Sequence, residues 1–132
     1  MNVRSYRDLK VWQLAMQLTE RGYRMTDGFP ARETYGLTSQ IRRAAVSVPS
    51  NIAEGHARDS TKEYLRFLSV AQGSLAELET QVELSRRLGF TTEPDTMDVL
   101  NKSAEVGRML AGLQKSLMTK LAPGSVPLAP GP

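Results

Sequence analysis

The stretch STKEYLRFLSVAQGSLAELETQVELSRRLG, Ser60–Gly89, decides the fold. It opens on Ser60 with Glu63 three residues on, the spacing at which a serine and a glutamate satisfy the free N–H groups of a first helical turn. Tyr64, Phe67, Leu68, Ala71, Leu75, Leu78, Val82 and Ser85 then recur about every 3.5 residues, the period of a bundle seam. Gly89 follows as a C-terminal cap. A helix of about 28 residues is about 42 Å long, and its stripe can be buried only by other helices of similar length.

The chain supplies three of them. Upstream, Thr34 to Ala57 reads as helix two, with Leu37, Ile41, Ala44, Ala45, Val48 and Ile52 on its apolar face and Pro49 inside it. Proline removes an internal hydrogen bond and crowds the preceding turn, so a kink or a break is expected between Ser47 and Pro49. Helix one is expected from Arg7 to Asp27, opened by Ser5 and Asp8 at capping-box spacing and stopped by Gly28, Phe29 and Pro30. Helix four is expected from Thr92–Asp95 to Leu121, with Pro94 tolerated in its first turn and Val99, Leu100, Val106, Leu110, Leu113, Leu117 and Leu121 facing inward. Gly107 and Gly112 lower helix propensity there and point to close helix approach. No stretch alternates long enough to make a strand. The expected architecture is all-α: an antiparallel up-down four-helix bundle over residues 1–121, with a proline kink in helix two. Residues 122–132 hold four prolines, two glycines and no charge, and read as a flexible Pro/Gly-rich tail.

Two helices carry more than a core stripe. On helix one, Leu9, Trp12, Met16 and Tyr23 form one face and Val11, Leu14, Leu18 and Met25 another, together far wider than the roughly 100° stripe one core needs. The expectation is that Val11, Leu14, Leu18 and Met25 serve an oligomer interface. On helix two, Gln40, Ser47, Asn51 and Glu54 form a polar stripe directly beside the apolar face. Polar groups at the edge of a core need partners, so hydrogen bonds to Ser74, Glu77 or Gln81 are expected, with Ser47 and Asn51 also available to backbone groups released by Pro49.

Composition narrows the chemistry. The 132 residues contain no cysteine and one histidine, His56, which removes thiol nucleophiles, disulfides, cysteine-ligated metals and two-histidine metal sites. No cofactor and no metal site is expected. No run approaches roughly 18 apolar residues and nothing resembles a signal-peptide core, so the reading is cytoplasmic, without a membrane partner. Seventeen basic against fourteen acidic residues give a net charge of +3. The excess sits in residues 1–66, with 11 basic and 7 acidic side chains, whereas residues 67–132 hold 6 and 7.

The run Tyr35-Gly36-Leu37-Thr38-Ser39-Gln40-Ile41-Arg42-Arg43-Ala44-Ala45-Val46-Ser47-Val48-Pro49-Ser50-Asn51-Ile52-Ala53-Glu54-Gly55 resembles the signature of small four-helix-bundle proteins encoded by intervening sequences of bacterial 23S rRNA genes. The likeness extends to Leu9-Lys10-Val11-Trp12, Phe29-Pro30, Gly73-Ser74 with Glu77-Leu78-Glu79, and Leu88-Gly89-Phe90. This resemblance implies a bundle that assembles as a homopentamer, related to the nucleic-acid-binding accessory proteins of diversity-generating retroelements, with no catalytic activity established for the rRNA-associated branch.

Three functions are compatible with these residues. The first is a non-enzymatic scaffold binding RNA or DNA through phosphate contacts of Arg21, Arg24, Arg42, Arg43, Arg58, Lys62 and Arg66, a modest patch multiplied by self-association. The second is a protein-interaction module whose partner the sequence does not name. The third is a ribonuclease. An arginine four to six residues before a catalytic histidine marks one class of four-helix ribonucleases, yet Asn51, Ser50 and Pro49 stand before His56. Glu54, Glu77 and Glu79 could supply carboxylates, but Glu77 and Glu79 point about 200° apart on one helix. The expectation is therefore no enzyme.

Overall fold

The computed structural model describes residues 5–125, with side chains to Leu121. Four helices account for most of it: α1 Lys10–Thr26, α2 Leu37–His56, α3 Thr61–Arg87 and α4 Glu93–Ser125. Helix α1 packs on α2 and α4, and α3 packs on the same two, with no diagonal helix pair packed directly among the described residues. The cross-helix bonds run in opposite numerical senses: Arg21 meets Asp98 where Gln17 meets Lys102, and Gln40 meets Gln81 where Ser47 meets Ser74. Thr19 meets Ala45 where Thr26 meets Arg42, and Gln72 meets Gln114 where Glu79 meets Ser103, so each neighbouring pair is antiparallel, the up-down order expected.

Helix α3 is bounded as its caps dictate. The Ser60 side chain accepts from the Glu63 N–H at 3.0 Å. At the far end Gly89 takes φ +80, a conformation costly for any residue with a Cβ, which lets the Phe90 N–H turn back to the Ser85 carbonyl at 2.9 Å. Helix α4 begins where Thr92 Oγ1 accepts from the Asp95 N–H at 3.2 Å. It runs to Ser125, four residues past the boundary expected at Leu121. Residues 126–132 of the expected tail lie outside the described residues.

Helix α1 starts later than expected. Ser5 caps a separate 3-10 turn, Tyr6–Asp8, by accepting from the Arg7 N–H at 3.1 Å. Leu9 is then extended before α1 begins. The larger correction concerns the oligomer interface. Val11, Leu14, Leu18 and Met25 are buried to within 9% exposure inside this chain's own core, so they offer no surface to a neighbour. Periodicity shows that α1 has two apolar faces; which one turns inward is set by where α2 and α4 lie. The face left outside carries Met16, 39% exposed, and Tyr23, 41% exposed, with the partly exposed Trp12.

Helix α2 is continuous from Leu37 to His56, with Pro49 buried inside it, so the expected break into two pieces is absent. In a helix the N–H of residue 49 would serve the Ala45 carbonyl, and proline has none to give. Thr19 of α1 fills the gap: its hydroxyl lies 3.0 Å from the Ala45 carbonyl and 2.9 Å from that of Ala15. Ser47 and Asn51, the expected donors, do something else. Asn51 Nδ2 donates to the Ser47 carbonyl at 2.8 Å and to Ser47 Oγ at 2.9 Å, while Ser47 Oγ shares a proton with Ser74 Oγ at 2.7 Å.

Candidate nucleic-acid interface

Antiparallel topology sorts the charges by end of the bundle rather than by half of the sequence. One end gathers the start of α1, the α2–α3 connection and the last turns of α4; the other gathers the α1–α2 and α3–α4 connections. The first, the Ser60 end, holds Arg7, Lys10, Arg58, Lys62, Arg66, Lys115 and Lys120 against Asp8, Glu54, Asp59 and Glu63. The second, the Gly89 end, holds eight basic residues against ten acidic ones, with Arg108 near the middle of the bundle. The net positive charge therefore belongs to the Ser60 end. The seven candidate phosphate-binding residues are divided by this sorting: Arg58, Lys62 and Arg66 lie at the Ser60 end, and Arg21, Arg24, Arg42 and Arg43 at the Gly89 end.

Arg42 is the least available of the seven. Its Nε donates to Thr26 Oγ1 at 2.8 Å, its Nη2 reaches the Asp27 carboxylate at 3.0 Å and the Tyr23 carbonyl at 3.3 Å, and its guanidinium lies 4.5 Å from the Tyr23 ring centroid. These bonds tie α2 to the end of α1, so the residue holds the fold together. Arg21 bridges to Asp98 of α4 at 2.9 Å, and Arg24 sits 4.0 Å from Glu20. Arg43 is exposed and has no ion-pair partner among the described residues. At this same end the Glu83 carboxyl is held down to about 2 by its hydrogen bond from Arg86 and then by that from Arg87, so two further arginines are occupied.

At the Ser60 end the cations crowd one another. Arg58 reaches Glu54 at 3.2 Å and Arg66 reaches Glu63 at 3.0 Å, yet both guanidiniums also lie against the Phe67 ring, at 4.7 and 4.5 Å. The Arg66 hydrogen bond, joined by attraction to Arg58 and Lys62, holds the Glu63 carboxyl below its ordinary value. Lys62, Lys115 and Lys120 are exposed and have no ion-pair partner among the described residues. Lys115 and Lys120 escaped the candidate set because they stand in the half of the sequence with no basic excess; only the antiparallel return of α4 brings them to this end.

The polar stripe divides as well. Ser47 finds Ser74, and Gln40 Oε1 accepts from Gln81 Nε2 at 3.3 Å, both as expected. Glu54 turns to Arg58 instead, and Glu77 lines a groove of about 410 Å³ with Gln40, Arg43, Ser47 and Gln81. Gln81 Oε1 is buried without a partner. The carboxylates considered for acid–base chemistry serve different partners: Glu54 is ion-paired, Glu77 lines the α2–α3 groove, and Glu79 accepts from Ser103 Oγ of α4 at 2.5 Å. His56 ends α2 and packs edge-on against Tyr64, with ring centroids 5.8 Å apart. Among the described residues no three His, Cys, Asp or Glu side chains come together as a metal site, and no helix is long and apolar enough to cross a membrane.

Comparison with known proteins agrees with this architecture. A solved structure from Bacteroides thetaiotaomicron, a protein of unknown function from the S23 ribosomal protein family, superposes with a TM-score of 0.72 at 22% identity, covering 80% of this chain and 98% of the other. A curated protein of Streptomyces griseus named peroxynitrite isomerase is 33% identical over 108 residues, which cover 74% of this chain; the chain spans 56% of that protein's length. The model of the 23S rRNA-intervening sequence protein family matches residues 7–112, which span α1 to α3 and the first part of α4, and the chain belongs to that family.

Proposed function

We propose that this chain is a non-enzymatic scaffold whose copies associate, as a homopentamer, and present their Ser60 ends to the phosphates of RNA or DNA. The observation that carries the reading is the sorting of charge, with seven basic side chains against four acidic ones at that end. Self-association supports it from a second side, because the α1–α2 face leaves Trp12, Met16, Tyr23 and Val46 partly in water. A net charge of +3 per chain becomes about +15 in five copies, and phosphate contacts that are weak singly add by multivalency.

Anisotropy titrations of labelled RNA and DNA at graded salt test this. Binding at low salt that weakens steeply as salt rises is expected. Lys62→Glu with Lys115→Glu and Lys120→Glu is expected to weaken it by at least about tenfold, while Arg43→Glu at the other end leaves it near wild type. Absence of binding at low salt, with sedimentation still showing an assembly, would leave the chain a protein-interaction module.

The name borne by the Streptomyces griseus relative raises a competing reading, isomerisation of peroxynitrite. Stopped-flow decay of peroxynitrite separates the two. A decay rate unchanged by the chain fits the scaffold, and acceleration in proportion to protein concentration overturns the non-enzymatic reading.

A further inference from the structure

Between α1 and α2, on the side away from the core, runs a groove of about 310 Å³ lined by Tyr6, Trp12, Met16, Val46, Pro49 and Ala53. Its aromatic wall is built: the Tyr6 and Trp12 rings meet edge to face at 5.2 Å and 67°. The lining residues also carry hydrogen-bond donors with no protein partner among the described residues. The Tyr6 hydroxyl, the Trp12 indole N–H and the Ser50 hydroxyl at the rim make no side-chain hydrogen bond among the described residues. No charged side chain lines the groove.

This is the chemistry that takes up a proline-rich strand. A polyproline helix has no internal hydrogen bonds, so its carbonyls seek donors, and its rings and small side chains fill slots between aromatic residues. The chain carries such a strand: Val126-Pro127-Leu128-Ala129-Pro130-Gly131-Pro132 is uncharged and has prolines at PxxP spacing. We infer that the Pro127–Pro130 segment of a second copy docks in the Tyr6–Trp12 groove, as a polyproline strand laid between α1 and α2.

Reach decides that the segment comes from another copy. Lys102 Nζ meets Gln17 Oε1 at 3.3 Å, which places these residues at one level of the bundle. Ser125, where α4 ends, lies about 35 Å further toward the Ser60 end, and Trp12 only about 8 Å from Gln17 in that direction. Fully extended, the chain from Ser125 to Pro130 spans about 17 Å, short of the roughly 27 Å back to Trp12. A neighbouring copy meets no such limit, and its strand would join the two through a contact different from packing of one helix face on another.

The inference rests on the reading that copies associate, and the experiment separates the two. Sedimentation of the full chain is compared with that of the full-length Pro127→Ala, Pro130→Ala variant. The variant is expected to need about tenfold more protein to assemble. Trp12 is the only tryptophan, so a synthetic peptide of residues 126–132, titrated into that variant, is read by its emission. A saturable change is expected, absent with a peptide carrying the same two alanines and absent in Val46→Arg, which blocks the groove at an exposed position. A variant that assembles like the wild type, or a peptide that leaves Trp12 emission unchanged, overturns the docking alone. A wild-type chain that stays monomeric at every concentration overturns the association reading together with it.

Discussion

The two sides of α2 are built by opposite rules. Toward α3 the contact is polar and tight: Ser47 meets Ser74, Gln40 meets Gln81, and a Cβ added at Gly55 would stand 2.9 Å from the Phe67 Cβ and 3.2 Å from the Tyr64 carbonyl. Toward α1 the contact is looser, and between the Thr19 bond to Ala45 and the Arg42 corner at the end of α1 it is apolar. The equivalent small residue there is Gly22, whose added Cβ would lie 3.7 Å from the Ala45 Cβ, an ordinary separation. One helix thus joins a close seam whose groove is polar to a looser face whose groove is apolar and aromatic. The seam leaves one buried acceptor, Gln81 Oε1, without a partner, whereas the groove toward α1 has several unserved donors beside exposed apolar surface. Binding is therefore sought on the α1 side, although the polar residues that first attract attention lie on the other.

The sharpest way to break this contrast is to fill both small positions. Gly55→Ala gains up to about 1 kcal/mol of helix propensity but drives a methyl into backbone as well as side-chain atoms, at a cost of up to about 3 kcal/mol. A net loss of about 2 kcal/mol is expected by urea denaturation. Gly22→Ala, with room for its methyl, is expected to be neutral or stabilising. Equal effects at the two positions would end the distinction between a tight and a loose side.

Next in size is the repair of Pro49. Thr19→Val keeps the shape of the side chain and removes the proton shared between the Ala15 and Ala45 carbonyls. Leaving the Ala45 carbonyl without a donor is expected to cost about 1–2 kcal/mol. Pro49→Ala restores an N–H beneath that carbonyl, so in its background the Thr19→Val penalty is expected to fall to about half or less. A double-mutant cycle with no coupling would mean that Thr19 does not compensate the proline. The seam's counterpart is smaller. Ser47→Ala leaves Asn51 its bond to the Ser47 carbonyl and deprives the buried Ser74 hydroxyl of its partner, for an expected loss of about 1 kcal/mol in the same denaturation series.

How much of this was legible in the sequence depended on distance along the chain. The bounds of α3 follow from Ser60, Glu63 and Gly89, all local, and the structure reproduces them. The pairing of Ser47 and Gln40 with Ser74 and Gln81 was accessible because both helices carry a polar edge at matching positions. The partner of the Ala45 carbonyl was not, because Thr19 lies on another helix and its role is visible only once Pro49 is placed beside α1. The same reason moved Val11, Leu14, Leu18 and Met25 from an interface to the core: a wheel gives the faces of a helix but not its neighbours. Charge shows the effect most plainly. Arg42 and Lys115 look alike as cations, yet one is bound into the α1–α2 corner and the other is free at the opposite end of the bundle.

The smallest expected effect is the most discriminating test of the seam. Gln81 is 9% exposed, donates to Gln40 and leaves its own Oε1 buried without a partner. Removing the whole amide, as in Gln81→Leu, gives up one hydrogen bond of about 1 kcal/mol and at the same time abolishes an unsatisfied acceptor that costs a similar amount. Gln40 is exposed and can turn its side chain to water. A change within about 0.5 kcal/mol is therefore expected, in contrast to the loss at Ser47, where every polar atom is served. A loss as large as that of Ser47→Ala would show that Oε1 is satisfied in solution, which would make the Gln81 contact as complete as the serine pair beside it.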